Sequence, residues 1–133
     1  MKEELIPFQE GIAAGISFIM AGHISAPNAV WDDTPASLSK AMITGVLRER
    51  MKFDGIVVTD ALNMGAVSGS YSPKEAAELA AQAGADLLLM PEDFKEAYQG
   101  LLEAVKEGRV SQERIDASLR RILKKKLELL PAQ

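Results

Sequence analysis

The sequence predicts an α/β fold built from parallel strands and crossover helices, and three observations carry that prediction. Short apolar runs alternate with amphipathic stretches of helical period along most of the chain. One run, Ile56-Val57-Val58-Thr59, is led in by Gly55, is β-branched throughout and ends on a single acidic residue, Asp60. Such a run reads as a strand buried on both faces, the kind found in parallel sheets. Third, Ser72-Pro73-Lys74-Glu75 is a capping box that opens an Ala-rich helix closed by Gly84.

The elements follow in order. Pro7 suits a first helical position, and a short helix over residues 8–14 is closed by Gly15. Residues 16–21 read as the first strand, followed by a loop rich in Pro, Asn and Asp over residues 22–36. Leu38, Met42, Val46 and Leu47 recur at helical spacing, with Ser37 or Ser39 as the expected N-cap. The second strand is 55–59, and a Gly/Ser-rich loop over 65–71 leads to the capped helix. Residues 86–90 form the expected third strand, stopped by Pro91. A helix over 94–107 ends at Gly108. The last helix begins near Ser111 and carries Ile115, Leu119, Ile122, Leu123 and Leu127 at core-facing spacing. Parallel strands joined this way take right-handed crossovers. Three strands cannot close a barrel, and an eight-fold βα barrel needs about 250 residues. The chain therefore reads as one partial domain, residues 1–133: roughly the second half of a TIM-type (β/α)8 barrel with a C-terminal helix.

Bulk properties exclude several classes. A chain of 133 residues with 47% hydrophobic and 26% charged residues can bury a core. A net charge of -4 gives no reason to expect nucleic acid as partner. There is no cysteine and only one histidine, His23, so disulfides and cysteine- or histidine-based metal sites are not expected. No apolar run approaches the roughly 20 residues of a membrane span, and residues 1–5 lack the apolar core of a signal peptide. The compartment stays open, with the cytoplasm favoured. No Gly-x-Gly-x-x-Gly turn follows any strand, which argues against dinucleotide binding.

Asp60 is the chemical candidate. An Asp at the C-terminal end of a buried strand sits where α/β barrels place their chemistry, although it can equally cap the following turn. Asp86 is the internal contrast: it precedes its strand, at the N-terminal rim, where charged residues serve stability. His23, at a strand end, reads either as a hydrogen-bonded structural residue or as part of a pocket wall. Met64 reads as core filling. Trp31 with Asp32 and Asp33 lies on the long first loop, where the Trp can stack on a ligand or merely pack the loop. The basic cluster Arg120, Arg121, Lys124, Lys125 and Lys126 reads as a solvated helix face that complements the helix dipole.

The pattern Gly55-Ile-Val-Val-Thr-Asp60-Ala-Leu-Asn-Met64 also resembles the nucleophile signature of family 3 glycoside hydrolases, in the bacterial β-N-acetylhexosaminidase branch. The resemblance extends over nearly the whole chain. It takes in Met20-Ala-Gly-His-Ile24 with Pro27, Thr34-Pro-Ala-Ser-Leu-Ser39, Leu47-Arg-Glu49, Phe53-Asp-Gly55, Ala83-Gly-Ala-Asp86, and Arg114-Ile-Asp116 through Arg120-Arg-Ile122.

The resemblance implies a retaining mechanism with Asp60 as the nucleophile, acting on terminal β-linked N-acetylglucosamine, and no metal or organic cofactor. It places His23 and Met64 at the substrate pocket, and Thr59 and Asn63 beside it. The second acidic residue that often follows the nucleophile is replaced by Ala61. The family's acid/base loop, which resembles Lys-His-Phe-Pro-Gly-His-Gly, has no counterpart in these 133 residues. The chain thus carries the nucleophile half of the machinery and is expected to need the missing half-barrel, or a second copy, to cover its open sheet. The alternative is a non-catalytic α/β binding or interaction module that retains the motif.

Overall fold

The computed structural model describes residues 3–30 and 33–130. Two strands, β1 (Phe18–Ala21) and β2 (Ile56–Thr59), pair in parallel with Phe18 opposite Ile56 and Ala21 opposite Thr59. Around them run α1 (Ile6–Ala13), the single turn α2 (Pro27–Val30), a 3₁₀ turn (Ala36–Leu38) and a wide π-helix (Ala41–Arg50). The single turn α3 (Gly65–Ser68), α4 (Pro73–Ala83), α5 (Phe94–Lys106) and α6 (Gln112–Leu129) complete the order. Both one-turn helices fall within segments expected to be loop. None of the described helices is long and apolar enough to cross a membrane.

Local chemistry explains most of these boundaries. Gly15 and Gly84, which end α1 and α4, have φ of 84° and 115°, a region that side chains with a Cβ avoid. Ser72 caps α4 by accepting from the Glu75 N–H, while the Glu75 carboxylate accepts from the Ser72 N–H at 2.9 Å. The Ser72 hydroxyl also donates to that carboxylate at 2.6 Å, and this bond first, then the Ser72 N–H, holds the Glu75 carboxyl below its ordinary value. The Asp93 and Ser111 side chains cap α5 and α6 by accepting from the Glu96 and Arg114 N–H groups.

The core lies between β2 and the helices that precede and follow it. Val57, Ile43, Leu38, Phe53, Leu62 and Val67 are buried together with the alanines of α4. Gly100 lets α5 come close to the start of α4: a Cβ there would stand 2.3 Å from the Lys74 Cβ. Entry into β2 is equally tight. A Cβ on Gly55 would overlap the Phe53 ring and come within 2.6 Å of the Ser17 carbonyl oxygen.

Three expectations need correction. The third strand is reduced to one parallel bridge, Val58 to Leu87, with further backbone bonds from Thr59 N–H to the Leu87 carbonyl and from Leu62 N–H to the Leu89 carbonyl. Lacking a described strand on its far side, this segment has only one ladder to regularise it. The helix expected from Leu38 to Leu47 is split into the 3₁₀ turn and the π-helix, where the Met51 N–H reaches the Val46 carbonyl. Leu38, Val46 and Leu47 are nonetheless buried as expected. Finally, the apolar stripe of α6 is not in the core: Leu119, Leu123 and Leu127 are 47%, 56% and 69% exposed. Only Ile115 packs inward, against Ala81, Ala104 and Val110.

Candidate active site

β2 is held on both sides, and that fixes where it ends. Thr59 is fully buried; its N–H donates to the Leu87 carbonyl at 3.0 Å and its Oγ1 accepts from the Leu89 N–H at 3.0 Å. Thr59 thus ties β2 to the third extended segment and does not line an opening. The next residue, Asp60, is half-buried, and its N–H donates to the Ala21 carbonyl at 2.8 Å, continuing the β1 pairing beyond the strand. Its Oδ1 accepts from the Ala61 N–H at 2.8 Å. No further hydrogen bond or ion pair to its carboxylate is found among the described residues. One oxygen is therefore oriented by backbone, while the other has no hydrogen bond among the described residues.

His23 stands directly beside this carboxylate's backbone. Its Nε2 lies 2.9 Å from the Ala61 carbonyl oxygen and its Nδ1 lies 2.7 Å from the Ser37 Oγ. Ser37 is fully buried, and its N–H donates to the Gly22 carbonyl at 3.0 Å. Leu62 and Asn63 continue away from Asp60 with backbone bonds to the Leu89 and Met90 carbonyls, and the Asn63 side chain is exposed. Met64, which spacing alone reads as core filling and the resemblance places at the pocket, is 46% exposed and caps the start of the α3 turn. Of the first loop, Trp31 and Asp32 lie outside the described residues. Asp33 is exposed, and its carbonyl accepts from the Ser25 hydroxyl.

The structure therefore brings Asp60, His23 and Ser37 together at the C-terminal ends of the strands. An apolar concavity of about 260 Å³, lined by Leu5, Phe8, Ile19, Met42 and Val46, reaches Gly22, Ile24 and Ala36 beside His23 and Ser37. Among the described residues no three acidic or histidine side chains gather to hold a metal.

The opposite rim is built differently. Asp86 is buried; its Oδ2 accepts from Arg48 at 2.6 Å and from the Val57 N–H at 2.9 Å, and its Oδ1 accepts from the Ser118 hydroxyl at 2.6 Å and from Arg121 at 3.2 Å. The Arg114 guanidinium stands 3.7 Å away. Burial pulls the Arg48 and Arg114 guanidinium groups below their ordinary value, and Asp86 opposes that shift. Arg48 also stands over the Phe53 ring at 5.6 Å and donates to the Phe53 and Gly55 carbonyls.

Sequence reasoning missed this cluster. Arg121, read as part of a solvated face, pairs with both Asp86 and Asp54. The signal was available: Arg114, Ser118 and Arg121 recur at i, i+4 and i+7, one face of one helix. Ser37 offered no comparable signal, because its partner is fourteen residues away on another segment.

Comparisons with known proteins point to one family. Residues 1–125 match the family model described as the glycosyl hydrolase family 3 N terminal domain. A beta-hexosaminidase A of Pseudoalteromonas piscicida is 30% identical over 96% of this chain and 25% of its own length. A probable beta-glucosidase C of Aspergillus oryzae is 32% identical over 97% of this chain and 22% of its own. Among solved structures, a family 3 beta-N-acetylglucosaminidase from Paenibacillus sp. FPU-7 superposes with a TM-score of 0.89 at 42% identity, covering 98% of this chain and 26% of that one. The chain thus spans about a quarter of the length of these relatives. With residues 1–125 of its 133 matched to that model, and α/β architecture with parallel strands, the chain belongs to the glycosyl hydrolase family 3 N-terminal domain family.

Proposed function

We propose that the chain is the nucleophile-bearing part of a retaining β-N-acetylhexosaminidase, with Asp60 as the nucleophile. The observation that carries this reading is the state of Asp60: at a strand C-terminus, half-buried, one oxygen held by the Ala61 N–H and the other unengaged. A carboxylate so placed can attack an anomeric carbon, forming a C–O bond to the sugar while the bond to the aglycone breaks. The proton for the departing oxygen comes from an acid on another part of the assembled enzyme, and water later releases the sugar. The branch assignment rests on the motif around Asp60 and on the beta-hexosaminidase and beta-N-acetylglucosaminidase relatives, beside which beta-glucosidases also stand.

Residues 1–133 on this reading are a single partial barrel domain. The exposed β1 side chains Phe18 and Met20 and the exposed leucines of α6 are the surfaces that the remaining half-barrel, or a second copy, covers. Met64, exposed just beyond the nucleophile, serves as pocket wall, and the isolated chain is expected to turn over slowly or not at all.

The test is the intact mass of the chain after exposure to an activated aryl β-N-acetylglucosaminide, whose leaving group departs as phenolate with little acid assistance. A glycosyl adduct that disappears in Asp60→Ala supports the reading. An adduct that persists in Asp60→Ala overturns the residue assignment. No adduct, either alone or with the rest of the barrel supplied, favours a binding module instead.

A further inference from the structure

We infer that His23 is a positioning residue for Asp60, a side-chain extension of the β1–β2 ladder that clamps the peptide after the nucleophile, and that it is not a contact to the sugar. The inference rests on the reading of Asp60 as nucleophile for its functional meaning, and on geometry alone for the clamp itself.

The backbone sets the stage. Main-chain pairing between β1 and β2 ends with the Asp60 N–H on the Ala21 carbonyl. Two residues past Ala21, the His23 ring takes over and reaches the Ala61 carbonyl at 2.9 Å. A carbonyl oxygen can only accept, so Nε2 carries the hydrogen. In the neutral ring Nδ1 is then an acceptor, and the buried Ser37 hydroxyl donates to it at 2.7 Å. This assigns the tautomer from the network itself.

The Ser37 end is anchored as well: the Ser37 N–H donates to the Gly22 carbonyl and the Ala36 N–H to the Ile24 carbonyl. The segment bearing the histidine is thereby zipped to the segment bearing its partner. Ala61 is in turn the residue whose N–H holds the Asp60 Oδ1. The chain of contacts runs Ser37 hydroxyl, His23 ring, Ala61 backbone, Asp60 carboxylate.

Both ring nitrogens are used, which leaves His23 no free polar atom for a substrate hydroxyl or for proton transfer. Its value is orientational. Fixing the rotamer of an attacking carboxylate is the kind of geometric control that costs large factors in rate when lost.

The experiment combines nuclear magnetic resonance with adduct kinetics on the full chain and its His23→Ala, His23→Gln and Ser37→Ala variants. Long-range nitrogen–proton correlations on the wild-type ring are expected to show the neutral Nε2–H form; an Nδ1–H form overturns the proposal. Amide exchange at Ala61 and Leu62 is expected to speed up about tenfold or more in His23→Ala, with Val57 and Ala80 amides unchanged as a folding control. In His23→Gln it stays near wild type, because that amide can donate to Ala61 and accept from Ser37. Unchanged exchange in His23→Ala sinks the clamp. Should His23→Ala fail to fold, Ser37→Ala and the wild-type ring spectrum still decide.

Adduct formation supplies the functional arm. Its maximal rate is expected to fall about ten- to a hundredfold in His23→Ala with the half-saturating glycoside concentration unchanged, and to recover in part in His23→Gln. A raised half-saturating concentration with the maximal rate intact makes His23 a substrate contact and overturns the inference. Absence of any adduct in the wild type counts against the nucleophile reading, while the exchange and ring spectra continue to test the clamp.

Discussion

Asp60 and Asp86 occupy opposite rims of one small parallel sheet, and their surroundings could hardly differ more. Asp60 at the C-terminal rim is half-buried and holds one backbone N–H on its carboxylate. Asp86 at the N-terminal rim is buried and receives Arg48, Arg121, Ser118 and the Val57 N–H, with Arg114 close by. One carboxylate is saturated and joins the π-helix, β2 and α6; the other is oriented but left with bonding capacity. A group meant for chemistry must keep an unsatisfied valence accessible, whereas a group meant for stability is surrounded until none remains. The same residue type serves both ends because the direction of the strand decides which rim it meets.

The contrast can be broken most severely at Asp60. Asp60→Ala is expected to lower glycosyl-adduct formation by more than about 10³-fold, while its unfolding free energy in urea stays within about 0.5 kcal/mol of wild type. A large loss of stability there would erase the distinction between the rims.

The mirror experiment is Asp86→Ala. It leaves Arg48, Arg114 and Arg121 without their shared anion and is expected to destabilise the chain by about 3–5 kcal/mol, read by urea unfolding. Whatever fraction remains folded should still form the adduct, because none of the contacts to Asp60 passes through Asp86.

Gly55→Ala sharpens the same rim by a steric route. The new Cβ meets the Ser17 carbonyl and the Phe53 ring that Arg48 covers, and a loss of about 1–3 kcal/mol is expected in the same measurement.

At the C-terminal rim, stability comes from the α4 cap instead of from Asp60. Ser72→Ala is expected to cost about 0.5–2 kcal/mol. The smallest effect is the pH dependence of that cap. The Glu75 carboxyl is held below its unfolded value, so its contribution is present above that unfolded value and is lost as pH falls through the lower folded one. Ser72→Ala should flatten the acid limb of a stability–pH curve below about pH 4.5; an identical limb in both proteins would remove Glu75 from the account.

Much of this was legible in the residues. The capping box at Ser72, the closing glycines at positions 15 and 84, and the buried run ending at Thr59 are local signals with local causes, and each appears where the sequence put it. The roles of Asp60 and Asp86 could be separated because strand polarity alone assigns them to different rims. What escaped was what depends on distant partners. Leu119, Leu123 and Leu127 have the spacing of a core stripe, yet periodicity says only that a face is apolar, not what covers it. Arg121 reads as a surface cation until Asp54 and Asp86 are brought to it from other elements. The third strand has the composition of a strand but only one paired side, so it stays irregular.

By itself, then, the sequence determined the helix caps, the polarity of the strands and the position of the one half-exposed acid at a strand C-terminus, because these follow from hydrogen bonds and steric limits within a few residues. Only the tertiary structure decided that His23 would spend both ring nitrogens on Ser37 and Ala61, and that three arginines would converge on Asp86. Those contacts join residues 14 to 38 positions apart, and no local preference encodes them. They exist because packing the helices against the sheet leaves buried polar groups that must find one another.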